Sequence, residues 1–456
     1  MARIATPALY RAVWRWHFYA GLIVAPFLLI LSVTGAIYLF NDEINDALQA
    51  EKRIVAPHAT PLPLSRLIAA AEASVPGGRA TRIDTWSAPD RSAQAFVTAG
   101  DGTALRVFVD PGTGATLGSH VYERTLVGFA DRFHGSLMLG TFGDGVVELA
   151  ACWGVVLLVT GLYLWWPRGA LRLGDVLVPR LGARGRPFWK SLHGAVGAWT
   201  AAVILFLILT GLPWATVWGG LLRAGADVAG VGYPVSHRNH GAVPPSTPTL
   251  KQATGEAPWA LENEPMPSSE DHAGHHGMHG TAPAEAAPIG VDRAAELLDA
   301  AGLRHPYRLS LPTGAEGVYS AYTYPDRPQG QRTVQLDQYS GRVVNDVGFA
   351  DYGVVAKAVE LGVQLHMGNY FGVANQIVML LACLGAAALS ITGPIMWWRR
   401  RPKGELGAPR PLRPPQLKTL ALITLALAAV FPLVGASLLG AFVLDRLLTR
   451  RTPAAR

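Results

Sequence analysis

Five long apolar stretches dominate the hydrophobic pattern of the chain, at 18–40, 146–166, 194–218, 374–397 and 419–444. A hydrocarbon core of roughly 30 Å takes about 20 apolar residues of helix, so each stretch predicts a transmembrane helix. Between them the period changes. Over 60–120, residues 64–75 carry helical apolar spacing, and alternating runs follow at 82–86, 93–98 and 105–109, broken by Pro89-Asp90 and by the glycines at 100 and 102. This predicts one helix and three strands of a small α+β unit. Residues 289–346 repeat the theme, with a helix over 291–301 and strand-like runs at 308–311, 318–324 and 333–337. Both units place a turn after the third run, and Asp110 to Gly114 has the spacing of Asp337 to Gly341. Residues 233–288 are rich in Pro, Ser, Glu and His, a composition that predicts no core of its own.

The apolar stretches share one punctuation. His17 precedes Thr34-Gly35 by 17 residues and His193 precedes Thr210-Gly211 by 17, whereas His134 precedes Thr160-Gly161 by 26 and His366 precedes Thr392-Gly393 by 26. Trp165-Trp166 and Trp397-Trp398 close the two long-spaced segments alike. The pattern predicts an internal duplication: a first repeat over 1–185, a second over 186–402, and a linker with an unpaired fifth span over 403–456.

Charge changes the picture only by its location. The net charge is +7, but Arg3, Arg11 and Arg15 precede the first span, Arg168, Arg172, Arg180, Arg184, Arg186 and Lys190 fill the link between the second and third, and Arg399, Arg400, Arg401, Lys403, Arg410, Arg413 and Lys418 follow the fourth. The positive-inside rule makes these regions, and the N-terminus, cytoplasmic, and puts the connections 41–133 and 219–365 on the opposite side. The basic balance is topology and calls for no nucleic acid. The first span is too long for a signal-peptide core and has no prompt cleavage site, so it is expected to remain. The fifth span, interrupted by Pro432 and basic at both ends, reads as a single crossing, because each leg of a hairpin would be too short to span.

The parallel repeat places His17 and His193 at the cytoplasmic level and His134 and His366 at the outer level, each pair facing across a pseudo-two-fold axis along the membrane normal. Cys152 and Cys383, the only cysteines, lie inside spans, so there is neither a disulfide framework nor covalent haem attachment. A facing pair of neutral imidazoles without a carboxylate or thiolate suits a planar metal macrocycle. The four histidines are therefore candidate ligands to the iron of two b-type bis-histidine haems, which favour electron transfer. Gly21, Gly135, Gly140, Gly194, Gly197, Gly368 and Gly372 would let a flat ring approach, and Arg15, Arg132 and Lys190 are candidates for its propionates. Another paired metal site, a proton relay or a purely structural role are the alternatives. Thr160 and Thr392 read as residues that satisfy or loosen local helix backbone, and the paired tryptophans as interface anchors. Glu148 reads as a mark of a polar path or as a solvated interfacial glutamate. The histidines of 271–279 either capture a transition metal or are incidental to a polar loop.

The Trp16-His17 opening, the segments at His134 and His366, Trp189-Lys190-Ser191-Leu192-His193-Gly194 and the Thr-Gly-x-x-x-Trp-Trp endings resemble the PepSY-associated transmembrane family of iron-regulated membrane proteins. The resemblance implies a mainly α-helical integral protein of the bacterial inner membrane. Duplicated pairs of transmembrane helices would carry two small extracytoplasmic α+β PepSY-like units, with one extra C-terminal span. It implies, further, a reductase of the FoxB type, with two haems on the same four histidines and a ferric siderophore as acceptor outside. No G-x-G-x-x-G follows a strand in a cytoplasmic segment, so no flavin or nicotinamide site is expected, and an unidentified partner protein or a membrane quinol is the donor. Two other readings remain at this stage: a metal transporter fed by the His-rich tract, and a non-enzymatic sensor or interaction protein working through the outer units.

Overall fold

The computed structural model describes residues 7–57, 60–167, 173–232, 249–251, 258–259, 261–263, 266–269, 287–402 and 417–450. Most of the His-rich tract and several residues of the basic links after the second and fourth spans lie outside the described residues. In chain order the helices that matter are α1 (Pro7–Tyr38), α2 (Leu64–Ala73), α3 (Leu126–Ser136), α4 (Gly140–Trp165), α5 (Arg186–Gly211), α6 (Thr216–Val228), α7 (Val291–Ala300), α8 (Val354–His366), α9 (Val373–Arg400), α10 (Leu417–Val430) and α11 (Pro432–Arg450). The chain divides into two compact units, one of residues 1–39, 130–224 and 366–456, the other of 40–129 and 225–365.

In the first unit α1, α4, α5 and α9 are long and apolar enough to cross a membrane. They pack as a ring in which α1 and α5 each touch both α4 and α9. Every one of these helices is longer than its apolar stretch. Pro187 stands near the start of α5, where an N–H has no intrahelical partner to lose. As a result His17 and His193 lie inside helices, at their basic ends, and not ahead of them. Conversely, α5 stops at Gly211, because Pro213 cannot continue it, and 216–228 forms the separate helix α6.

His134 lies in the last turn of a short helix, α3, and His366 ends another, α8, before sharp breaks lead into the spans. The first break runs through Leu137 and Met138 with φ of 51° and 59°, a left-handed conformation that costs an L-residue energy. The second uses Gly368 and Gly372, at 82° and 58°, for which this conformation is free.

The fifth apolar stretch differs from the expected single crossing. It forms two helices, α10 and α11, interrupted between Val430 and Pro432, and a methyl group on Gly435 would lie 2.5 Å from that of Ala428. Residues seven apart in a straight helix would be separated by about 10 Å of rise, so the chain folds back here. Phe431 and Val434 at the reversal pack with Cys152 and Leu212, and Trp153 donates to the Ser437 hydroxyl.

The second unit is one eight-stranded antiparallel sheet. Its strands are β1 (Arg79–Asp84), β2 (Ala93–Thr98), β3 (Ala104–Val109), β4 (Thr116–His120), β5 (Arg308–Ser310), β6 (Val318–Thr323), β7 (Arg332–Asp337) and β8 (Val343–Gly348), in the order β4-β3-β2-β1-β5-β6-β7-β8. The two α+β segments are therefore not separate units, since β1 pairs with β5 through Arg82↔Ser310, Ile83↔Leu309 and Asp84↔Arg308. Alternation sets the buried face: Ala93, Ala95 and Val97 of β2 point into the core, with Ile83, Val107, Leu309 and Val334 from neighbouring strands. Leu67 and Ile68 of α2 and Leu298 of α7 cover that face, each fully buried leucine contributing about 1.5–3 kcal/mol. The two helices are tied at their starts, where Asp292 accepts from the backbone N–H and hydroxyl of Ser65.

Candidate histidine pairs

Each of the four histidines is half-buried and meets a threonine from another segment. His17 Nδ1 lies 2.9 Å from Thr160 Oγ1, His134 Nδ1 3.0 Å from Thr34 Oγ1, His193 Nδ1 2.8 Å from Thr392 Oγ1, and His366 Nδ1 2.9 Å from Thr210 Oγ1. The glycine after each threonine explains the dipeptide. A methyl group on Gly161 would stand 3.1 Å from His17 Cε1 and one on Gly35 3.2 Å from His134 Cε1; the corresponding distances are 3.7 Å for Gly211 to His366 and 3.8 Å for Gly393 to His193. Thr-Gly is thus a socket, with a hydroxyl to hold the imidazole and a bare Cα to admit its edge. Among the glycines flanking the histidines, a methyl group on Gly135, Gly140 or Gly372 would meet no atom within 4 Å, while one on Gly194 would face Trp165. The close approach to imidazole is made by the Thr-Gly glycines.

The histidines also meet one another across the ring of helices. The His17 and His193 ring centroids are 6.4 Å apart with the planes at 89°, and His134 lies close enough to His366 to act on it electrostatically. An imidazole centre lies about 1.1 Å behind its nitrogen and a metal–imidazole bond is about 2.0–2.1 Å, so two imidazoles on opposite sides of one metal have centroids roughly 6.3 Å apart. The inner pair has that separation. With Nδ1 engaged by threonine, Nε2 is the nitrogen left for a ligand. The donor set, two imidazoles and no carboxylate, fits the axial positions of a haem. Among the described residues no group of three or more His, Cys, Asp or Glu side chains is placed to hold a metal ion, and the tract at 271–279 lies outside them.

Glu148 is neither on a polar path nor solvated. It is 1% exposed and accepts from the backbone N–H groups of Val217 and Trp218 at 2.8 and 3.0 Å, so it caps the first turn of α6, while Asp144 accepts from the Thr216 hydroxyl. A carboxylate at a helix N-terminus satisfies orphan donors and complements the macrodipole. At the basic ends of the spans Arg401 stands 3.7 Å over Trp398, Arg400 lies over Trp14 and Phe18, and Arg15 over Tyr19. Cys152 and Cys383 are buried and unpaired.

The threonines are what sequence reasoning missed. Thr160 does bond its own helix backbone as expected, donating to Val156 O at 2.6 Å, and Thr392 donates to Ala388 O at 2.7 Å. Their second role, holding a histidine, is signalled only by the fixed spacing in all four segments. No curated protein matches the chain. The model of the PepSY-associated TM region matches residues 14–400, and the chain belongs to that family of membrane proteins.

Proposed function

We propose that this protein is a transmembrane electron-transfer reductase that holds two haems between matched histidines, His17 with His193 at the cytoplasmic level and His134 with His366 at the outer level. The observation that carries the reading is the inner pair, two imidazoles 6.4 Å apart whose Nδ1 atoms are both taken by threonine. Haem held between these histidines would supply one-electron chemistry. The chain supplies the rest. Duplicated helix pairs bring one histidine from each half to each level, and the 17 residues from His17 to Thr34, the seat of His134, set the levels about 25 Å apart along α1. By the positive-inside rule the basic links would put the N-terminus in the cytoplasm and the two long connections across an inner membrane. A cytoplasmic or quinol donor would feed the inner level, and the acceptor, a ferric siderophore, would be reduced outside, where lowering Fe(III) to Fe(II) loosens hard oxygen ligands.

The test is an absorption spectrum of the purified protein. It should be red, with a b-type spectrum and two haems per chain. His17→Ala and His193→Ala should each remove the same haem, and His134→Ala and His366→Ala the other. A colourless preparation from haem-replete cells would end the reading and favour a sensor or interaction role for the sheet unit. Loss of one and the same haem in His17→Ala and His134→Ala would overturn the assignment of levels.

A further inference from the structure

The four sockets are crossed. α1 carries His17 and the seat for His134, and α4, which follows His134, carries the seat for His17. In the second half α5 carries His193 and the seat for His366, and α9 carries the seat for His193. A hydroxyl has one hydrogen to donate, and in all four threonines it goes to the helix backbone four residues back: Thr34 to Ile30 O at 2.8 Å, Thr160 to Val156 O at 2.6 Å, Thr210 to Phe206 O at 2.7 Å and Thr392 to Ala388 O at 2.7 Å. The threonine oxygen can therefore only accept from the imidazole. A neutral imidazole has a single N–H, and a hydroxyl oxygen that can only accept fixes it at Nδ1.

We propose that Thr34, Thr160, Thr210 and Thr392 are positioning residues that hold the four histidines in the Nδ1–H tautomer with Nε2 free for a metal, Thr160 and Thr392 serving the inner pair and Thr34 and Thr210 the outer pair. The proposal rests on the haem reading for its consequence and on the hydrogen-bond count for its geometry. The second shell of a metal-bound histidine sets ring orientation and ligand basicity. A hydroxyl that only accepts, and cannot take up the proton, keeps each ligand a neutral imidazole, in contrast to the imidazolate-like donor that a carboxylate partner would make. Removing it weakens the ligand, and a weaker donor stabilises ferric iron less, so the potential rises. The crossing makes each effect local to one level although α1 and α5 each serve both.

Two measurements test this. Nitrogen NMR of isotopically labelled histidine in haem-free protein should show His17, His134, His193 and His366 as Nδ1–H tautomers. Nε2–H tautomers at these positions overturn the proposal without any variant having to fold, and leave the haem reading standing. In haem-loaded protein, a potentiometric titration should show Thr160→Val raising the potential of only the haem that His17→Ala removes, and Thr34→Val that of only the other, while Thr160→Ser and Thr34→Ser restore the native values. Unchanged potentials in the valine variants, or a shift at the wrong level, overturn the proposal. Absence of haem from the native protein would instead count against the function on which its consequence rests.

Discussion

Each imidazole has a hydroxyl at one nitrogen, a glycine at its edge and a second imidazole across the bundle. The glycine can be weighed separately from the others. Gly161 and Gly393 both sit inside long helices, where alanine is favoured by about 0.8–1.0 kcal/mol on propensity alone. Their surroundings differ: a methyl group at 161 would be 3.1 Å from His17 Cε1, tighter than ordinary contact, and one at 393 would be 3.8 Å from His193 Cε1, ordinary contact. Gly393→Ala should leave the inner pair intact and raise the melting temperature slightly. Gly161→Ala should displace His17 and lower the retention of its haem, seen as a reduced haem-to-protein ratio after purification. Equal behaviour of the two variants would show that the glycines are not part of the sockets. The four histidines and the four Thr-Gly pairs are readable because their spacing recurs. Which threonine holds which histidine is not, because spacing reports what shares a helix, and these contacts run between helices.

Elements are legible in proportion to their own periodicity. The spans, α2, α7 and the strands β1–β3 and β5–β7 announce themselves by apolar spacing, but β4 and β8 do not. They are the sheet edges, with mostly exposed or half-exposed residues in Thr116–His120 and Val343–Gly348, so no buried face imposes alternation on them. The join of the two α+β segments is equally hidden, since Arg82 pairs with Ser310 far along the chain and nothing local encodes it. The fifth stretch misleads for another reason. Its length satisfies a crossing, but Pro432 removes the backbone donor that would continue the helix, and Gly435 allows the returning leg to touch Ala428. The fold-back at Pro432 favours a re-entrant pair of helices over a single crossing. Both chain ends should therefore lie on the same side, with Arg446 and Arg450 obeying the charge rule. Protease removal of tags fused at each end, compared between right-side-out and inverted vesicles, should proceed in the inverted ones only. Cleavage of the C-terminal tag in right-side-out vesicles would restore the single crossing.

At the scale of the whole molecule, the inner histidines stand on α1 and α5 and the outer ones on α3 and α8, seated by α1 and α5, and on the proposed haem reading a chain of two centres has a direction only if the two faces differ. The links after the second and fourth spans are short and basic, whereas the two long connections carry an eight-stranded sheet. On the proposed topology a bulky acceptor would dock on the side of the two long connections, and electrons should then leave by the outer level. In liposomes with reductant sealed inside and the sheet unit outward, the protein should reduce a membrane-impermeant ferric chelate added outside. The rate should collapse in His134→Ala and His366→Ala, because the remaining centre lies about 25 Å of helix away from the outer level. It should collapse as well in His17→Ala, which breaks the chain at its other end. Unchanged rates in the outer variants would mean that the acceptor takes electrons elsewhere. Rapid re-oxidation by any soluble oxidant, with no preference for a ferric chelate, would keep the conduit and remove the siderophore as its substrate.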